Sequence, residues 1–264
     1  MSESNKRNFI VHGSILAIAG ILVRIIGMLY RIPVVNIIGS EGNGIYGAAF
    51  NIYNIMLVLS SYGLPMAVSK LVSARFTKKR YKSAAKVLRC SLMVAVCTGG
   101  IAALLVFFGA SFIENVIYGG GLPGLAIPLR ILAPTIFLVA ILGVIRGFFQ
   151  GQSTMIPTAV SQILEQIVNA IVSIAAGYGM MKAFASSPDV AAYGAAGSTL
   201  GTAMGALTAV LFMGFLYAVY TPTFNRLKRK DRHTENQSTG QICKIIIYTC
   251  LLYTSPSPRD AHES

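Results

Sequence analysis

MIPTAVSQILEQIVNAIVSIAAGYGMM, residues Met155–Met181, carries a single charged side chain, Glu165, in an otherwise apolar setting. At about 1.5 Å of rise per helical residue, Glu165 lies roughly 15 Å into the stretch, halfway across a hydrocarbon layer about 30 Å thick. A charge at that depth costs at least about 2.5–3.5 kcal/mol on insertion scales, so it turns toward a bundle interior or a watery cavity. Gln162, Glu165, Gln166 and Asn169 recur at i, i+3, i+4 and i+7, which places all four on one helical face. A polar stripe through a membrane helix points to a pathway for something polar. The alternative is structural: Glu165 pairs with an arginine of a neighbouring helix, and the amides bond helices together.

The rest of the chain agrees with a membrane setting. Mean hydropathy is +0.64, and only 12% of residues are charged, half of the roughly 25% typical of soluble domains. Cys90–Ile113 and Val190–Asn225 contain no charge, and each exceeds the roughly 20 residues needed to cross a bilayer. The net charge of +13 does not point to nucleic acid, because the basic residues sit in short segments between apolar ones. Lys6–Arg7, Arg75–Arg89 and Arg226–Arg232 alternate with weakly charged loops around Glu41, Glu114 and Lys182–Asp189. That alternation follows the positive-inside rule and predicts a cytoplasmic N-terminus. Lys70, Arg75, Lys78, Lys79, Arg80 and Lys82 then act as topology determinants beside membrane lipids.

Six spans are expected: Phe9–Ile32 ending at Pro33, Gly44–Leu71 interrupted at Gly63–Leu64–Pro65, Val87–Phe112, Leu125–Phe149, Ile156–Met181, and Tyr193–Tyr220 stopped by Pro222. The first apolar segment runs too far to be a cleaved signal and is read as a retained helix. The expected organisation is a six-helix membrane lobe over 1–222, a basic linker over 223–240, and the start of a seventh helix over 241–252. The string Leu251–Asp260 looks like translated sequencing-adapter sequence, so 253–264 is read as a non-native tail, with a natural polar tail as the alternative. Cys90, Cys97, Cys243 and Cys250 show no metal spacing and are read as packing residues.

The first helix carries Gly13, Ala17, Gly20, Arg24, Gly27 and Arg31 on one stripe. Small residues there allow close approach of a helix or ligand, while a guanidinium suits bidentate phosphate recognition. Arg24 and Arg31 are therefore candidates for an anion site, with snorkelling to the interface as the alternative. Arg130 and Arg146, near the two ends of the fourth helix, read as interfacial anchors. No carboxylate pair, nucleophile motif, P-loop or cofactor motif appears, so neither an enzyme nor a cofactor is expected.

Two groups of residues carry a family resemblance. One is Arg146-Gly-Phe-Phe-Gln150-Gly151 followed by Met155, Pro157–Ala159, Ser161–Gln162 and Glu165–Gln166; the other is Gly27–Pro33, Ile38–Gly39, Glu41–Gly42, Gly44–Tyr46, Gly63–Pro65 and Ser69–Lys70. Together they resemble the SpoVB-like polysaccharide biosynthesis proteins, the oligosaccharide-flippase branch of the superfamily that includes the MATE exporters and MurJ flippases. The resemblance covers roughly residues 8–250. It implies an all-α, polytopic membrane bundle, with this chain as the N-terminal lobe of a two-lobe transporter lacking its C-terminal lobe. It also implies flipping of an undecaprenyl-linked sugar across the bacterial cytoplasmic membrane, with Arg24 matching a headgroup arginine. The substrate-contacting set is then Arg24, Arg31, Gln162, Glu165, Gln166 and Asn169. The basic residue that MurJ-like proteins carry in the second helix has no counterpart, since Ile55–Ser60 is uncharged. A cation-coupled drug exporter of the same fold, and a membrane scaffold without transport, are the alternatives.

Overall fold

The computed structural model describes residues 3–232 and 238–254, with side chains at 14, 16–232 and 238–250. The described chain is helical: α1 (Glu3–Ser60), α2 (Leu64–Thr77), α3 (Tyr81–Phe112), α4 (Ala126–Gly151), α5 (Ile156–Ala183), α6 (Val190–Lys230) and α7 (Thr239–Thr254). A π-turn, Ile113–Ile117, extends α3. Five helical regions among the described residues are long and apolar enough to cross a membrane. The first, Leu16–Thr77, takes in the first expected span from Leu16 onward and all of the second.

Those two spans do not separate at Pro33. Helix α1 continues through Pro33 and breaks at Gly39, whose φ of 70° lies in the left-handed region that glycine enters without a Cβ clash. The proline rule is overridden by packing. Val34 and Ile38, just beyond Pro33, are each 2% exposed, and Ile38 lies against the Gly177 and Gly194 backbones. The sixth span likewise runs past Pro222 to Lys230, so the first part of the expected linker is helical. Burial holds this extension too. Phe224 stacks on Phe76 and meets Phe148 edge-on, and Lys228 sits 5.1 Å from the Phe224 ring centroid. A mid-helix proline costs about 3 kcal/mol, a deficit comparable to the gain from burying a phenylalanine and its aromatic contacts.

The close helix contacts come from glycine stripes. Gly143, Gly147 and Gly151 of α4 lie against α2, where a Cβ on Gly147 would fall 2.6 Å from the Pro65 carbonyl oxygen. Gly194, Gly197, Gly201 and Gly205 of α6 lie against α5 in the same way. Small-xxx-small stripes let backbones approach where no aqueous hydrophobic effect drives helices together. Two apolar clusters divide α4 between them. Leu129, Leu132 and Ile136 join Tyr46 and Tyr53 of α1, while Ala140, Val144 and Phe148 join Leu64, Val68 and Phe224. Helix α7 closes the second cluster with Ile242 and Ile246 fully buried. Cys90 is buried and faces α7, where its Sγ lies 3.8 Å from the Thr239 carbonyl oxygen. Cys97 is exposed, contrary to its expected packing role, because one heptad further along α3 its side of the helix is uncovered.

The Gly-rich turn before α4 is held by a device that no sequence pattern reveals. Glu114 accepts hydrogen bonds from the Gly124 and Ala126 backbone amides, at 3.0 and 2.7 Å. A carboxylate there satisfies amides that the helix leaves unpaired and complements the positive end of its dipole. Glu114→Ala is expected to cost about 1 kcal/mol and lower the thermal midpoint in detergent by a few degrees. Glu114→Gln, which keeps an acceptor, should lose less. The expected tail over 253–264 lies almost wholly outside the described residues.

Candidate functional site

Arg146, near the end of α4, reaches across to α5. Its Nη2 donates to Glu165 Oε2 at 2.7 Å and its Nε to Ser161 Oγ at 2.9 Å. Ser161 in turn donates to the Thr158 carbonyl at 2.8 Å. The side chains of Arg146 and Glu165 are 15% and 27% exposed, and the two form an ion pair. Arg146 is therefore not an interfacial anchor. A guanidinium inside an apolar helix needs a counter-charge, and Glu165 provides it. Arg130 does fit the anchor reading: it is exposed and donates to Ser111 Oγ at 2.9 Å.

A cavity of about 230 Å³ adjoins this pair, lined by α4 and α5 together with the end of α1, the turn after it and the start of α2. Its polar wall comprises Ser61, Tyr62, Arg146, Gln150, Thr158 and Gln162. Gln162 is half-buried and on this wall, whereas Glu165 stands behind Arg146.

The expected polar stripe divides along its length. Gln166, half-buried, faces the first arm of α1, where a Cβ on Gly27 would sit 3.3 Å from its Nε2. Asn169 is 8% exposed. Its Nδ2 donates to the Tyr30 hydroxyl at 3.3 Å, and its Oδ1 accepts from Ser173 and Thr202. Asn169 thus ties α1, α5 and α6 together through groups that the spacing of α5 alone could not supply. Arg24 and Arg31 are exposed on the first arm of α1. They flank Gly27 on one stripe two turns apart, and neither forms an ion pair among the described residues. Glu165 and Arg24 are not paired: the carboxylate is held by Arg146, while Arg24 is exposed on the first arm of α1.

Five polar residues of the cavity wall are absent from the set expected from the sequence: Ser61, Tyr62, Arg146, Gln150 and Thr158. A spacing signal exists for Arg146. Arg146 lies five residues before the end of α4 and Ser161 five after the start of α5, so a short antiparallel turn sets them opposite each other, with Glu165 one turn further.

Against known proteins, residues 10–252 match the model of a family described as polysaccharide biosynthesis protein. The chain is similar to the lipid II flippase MurJ of Bacillus subtilis (strain 168), at 34% identity over 176 residues, covering 64% of this chain and 32% of that protein. It is similar to stage V sporulation protein B of the same organism, at 30% identity over 248 residues, covering 92% of this chain and 46% of that protein. Among solved structures, a MATE protein in complex with MaD3S superposes with a TM-score of 0.69 at 15% identity, covering 90% of this chain and 52% of that one. A MOP superfamily transporter from Pyrococcus furiosus superposes with a TM-score of 0.66 at 18% identity, covering 91% and 51%. The structural likenesses establish a MATE-like fold. The chain spans less than half the length of each of these two curated relatives.

Proposed function

Because the chain belongs to the polysaccharide biosynthesis protein family, a family of transporters rather than enzymes, we propose that it is the N-terminal lobe of a lipid-linked oligosaccharide flippase. Its substrate class is an undecaprenyl pyrophosphate sugar, of which lipid II is an example, moved across the bacterial cytoplasmic membrane by alternating access against a second lobe. The observation that carries this reading is a cavity with polar side chains on its wall, beside a half-buried ion pair, within helices otherwise apolar enough to cross a bilayer. Such groups are costly in lipid and mark substrate pathways. Residues 1–222 form the membrane lobe, 223–240 connect the lobes with α6 helical through Lys230, and α7 begins the second lobe. The basic segments 75–89 and 226–232 then lie in the cytoplasm with the N-terminus.

In this reading the exposed guanidinium groups of Arg24 and Arg31 face the cleft between lobes and hold the pyrophosphate, and Gln162, Glu165, Gln166 and Asn169 shape the path that the sugar follows. Charge-assisted hydrogen bonds to phosphate are worth about 1.5–3 kcal/mol, or about 10- to 150-fold in affinity. In the two-lobe protein carrying this chain, Arg24→Ala is expected to weaken binding of undecaprenyl pyrophosphate by at least tenfold. Unchanged binding sinks the headgroup assignment. The structural likeness to MATE proteins supports one alternative, a cation-coupled multidrug exporter. Arg24 and Arg31 oppose it, since they repel a cationic drug. Proton- or sodium-driven efflux of organic cations, insensitive to added polyprenyl-linked sugar, is the result that favours the exporter.

A further inference from the structure

One exposed face of α3 changes character along its length. Met93, Val96, Leu104 and Phe107 are exposed apolar side chains, while Lys82 and Arg89 are exposed basic ones. At 3.6 residues per turn these side chains fall within about 40° of one line along the helix. From Arg89 to Phe107 that line runs roughly 27 Å at about 1.5 Å per residue, close to the hydrocarbon thickness of about 30 Å. Arg89 therefore stands at the hydrocarbon edge, and Lys82 roughly 10 Å further out, at headgroup depth.

The fold adds a second set of cations at that end of the stripe. Asp231, just past the end of α6, accepts a hydrogen bond at 2.8 Å from the Lys82 backbone amide, 149 positions away. That bond sets the exposed Lys230 and Arg232, which flank Asp231, beside the start of α3. The Asp231 carboxylate itself is turned inward at 5% exposure, and it is the single acidic residue in segments 70–89 and 226–232. The outer face is thus basic. The side chains of Lys82, Arg89, Lys230 and Arg232 make no ion pair among the described residues.

A partner for this surface is anionic at one end and apolar at the other. RNA or an acidic peptide would satisfy the cations and leave the apolar stripe bare. An uncharged lipid would cover the stripe and leave the cations unanswered. A zwitterionic headgroup brings a phosphate, but the basic face repels its ammonium. Guanidinium and ammonium groups hold phosphate by charge-assisted hydrogen bonds, and basic pockets between membrane helices take anionic headgroups. We propose that the junction of α3 with the end of α6 seats an anionic phospholipid. Lys82, Arg89, Lys230 and Arg232 hold its phosphate, and its acyl chains lie along the apolar part of the α3 stripe. The seat needs only the membrane setting of these helices, so it stands or falls separately from the flippase reading and from Arg24.

The chain contains no tryptophan, so Met93→Trp, one turn inward of Arg89 on the stripe, makes a single local reporter. The test reconstitutes this 264-residue chain in phosphatidylcholine vesicles at low ionic strength. Phosphatidylglycerol and phosphatidylcholine with brominated acyl chains are the probes, and quenching of the tryptophan is the readout. A Lys or Arg beside an anionic headgroup is worth about fivefold in association, so phosphatidylglycerol should be preferred at residue 93 by at least about fivefold. Lys82→Gln/Arg89→Gln, and separately Lys230→Gln/Arg232→Gln, should each lower that preference by roughly threefold or more. The replaced side chains are exposed, and Lys82→Gln keeps the backbone amide that Asp231 accepts from. The thermal midpoint should therefore match that of the reporter chain, separating lost binding from lost folding. Arg130→Gln removes an exposed cation near the other end of α3, where it bonds Ser111, and should leave the preference unchanged. Equal quenching by the two lipids in the reporter chain, or a smaller loss in either paired variant, overturns the seat. Equal quenching together with binding of an RNA oligonucleotide or polyglutamate to the vesicles also overturns it, and reassigns the surface to a soluble polyanion.

Discussion

Replacing Gly201 with valine is expected to abolish the stable fold, seen as loss of a monodisperse species in detergent or a fall in thermal midpoint on the order of 10 °C. A Cβ at Gly201 would fall 2.6 Å from both the Asn169 carbonyl oxygen and the Ser173 amide nitrogen, and against the Ser173 hydroxyl. Real Cβ atoms do not approach backbone so closely, and backbone of a packed helix cannot swing aside as a flexible side chain can. Helices α5 and α6 would have to separate. That separation would break the Ser173-to-Ser198 hydrogen bond of 2.8 Å and strip Asn169 of its contact with Thr202. Overpacking alone costs about 1–3 kcal/mol, and each buried polar group left unpaired adds about 1–3 more. A Cβ at Gly179, on the same helix pair, would meet nothing within 4 Å, so Gly179→Val should be tolerated. Equal behaviour of the two variants sinks this account of α5–α6 packing.

Local periodicity makes the membrane class and the α5 stripe readable, because a 3.6-residue repeat is written in the order of residues. It cannot show which helices meet. Arg146 reads as an interfacial anchor because it sits near the end of its helix, while its partner is 19 positions away on the next one. Asn169 reads as a cavity residue because it shares a face with Glu165, yet Tyr30 and Thr202 come to it from two other helices. Pro33 and Pro222 are stops by a sound local rule. In each case a buried side chain beyond the proline, Ile38 or Phe224, holds the helix on. The stripe Gly194, Gly197, Gly201 and Gly205 is present as a spacing, but glycine is common in apolar helices and its role emerges only with the opposing backbone.

Breaking the Arg146–Glu165 pair from one side is expected to hurt far more than removing it whole. Arg146→Leu leaves the Glu165 carboxylate half-buried without its counter-charge. Losing one partner of a fully buried pair costs about 3–5 kcal/mol, and the 27% exposure of Glu165 reduces that to about 2–3 kcal/mol through solvent screening. Glu165→Leu carries a similar penalty, because the guanidinium keeps only its bond to Ser161. The double replacement Arg146→Leu/Glu165→Leu removes both charges from a site lined by helices of apolar composition, and no desolvated ion remains. It should lie within about 1 kcal/mol of wild type, giving a coupling energy of at least about 2 kcal/mol in a double-mutant cycle. Unfolding in mixed micelles at two ionic strengths provides the measurement. A partly buried pair is screened much less than a surface pair, so the coupling should change little with added salt. Additive effects of the two replacements would falsify the ion pair as an energetic unit. On the flippase reading proposed above, the double variant also separates packing from transport: it should fold, yet the two-lobe protein carrying it should move less sugar-bearing lipid, because the cavity wall has lost its guanidinium.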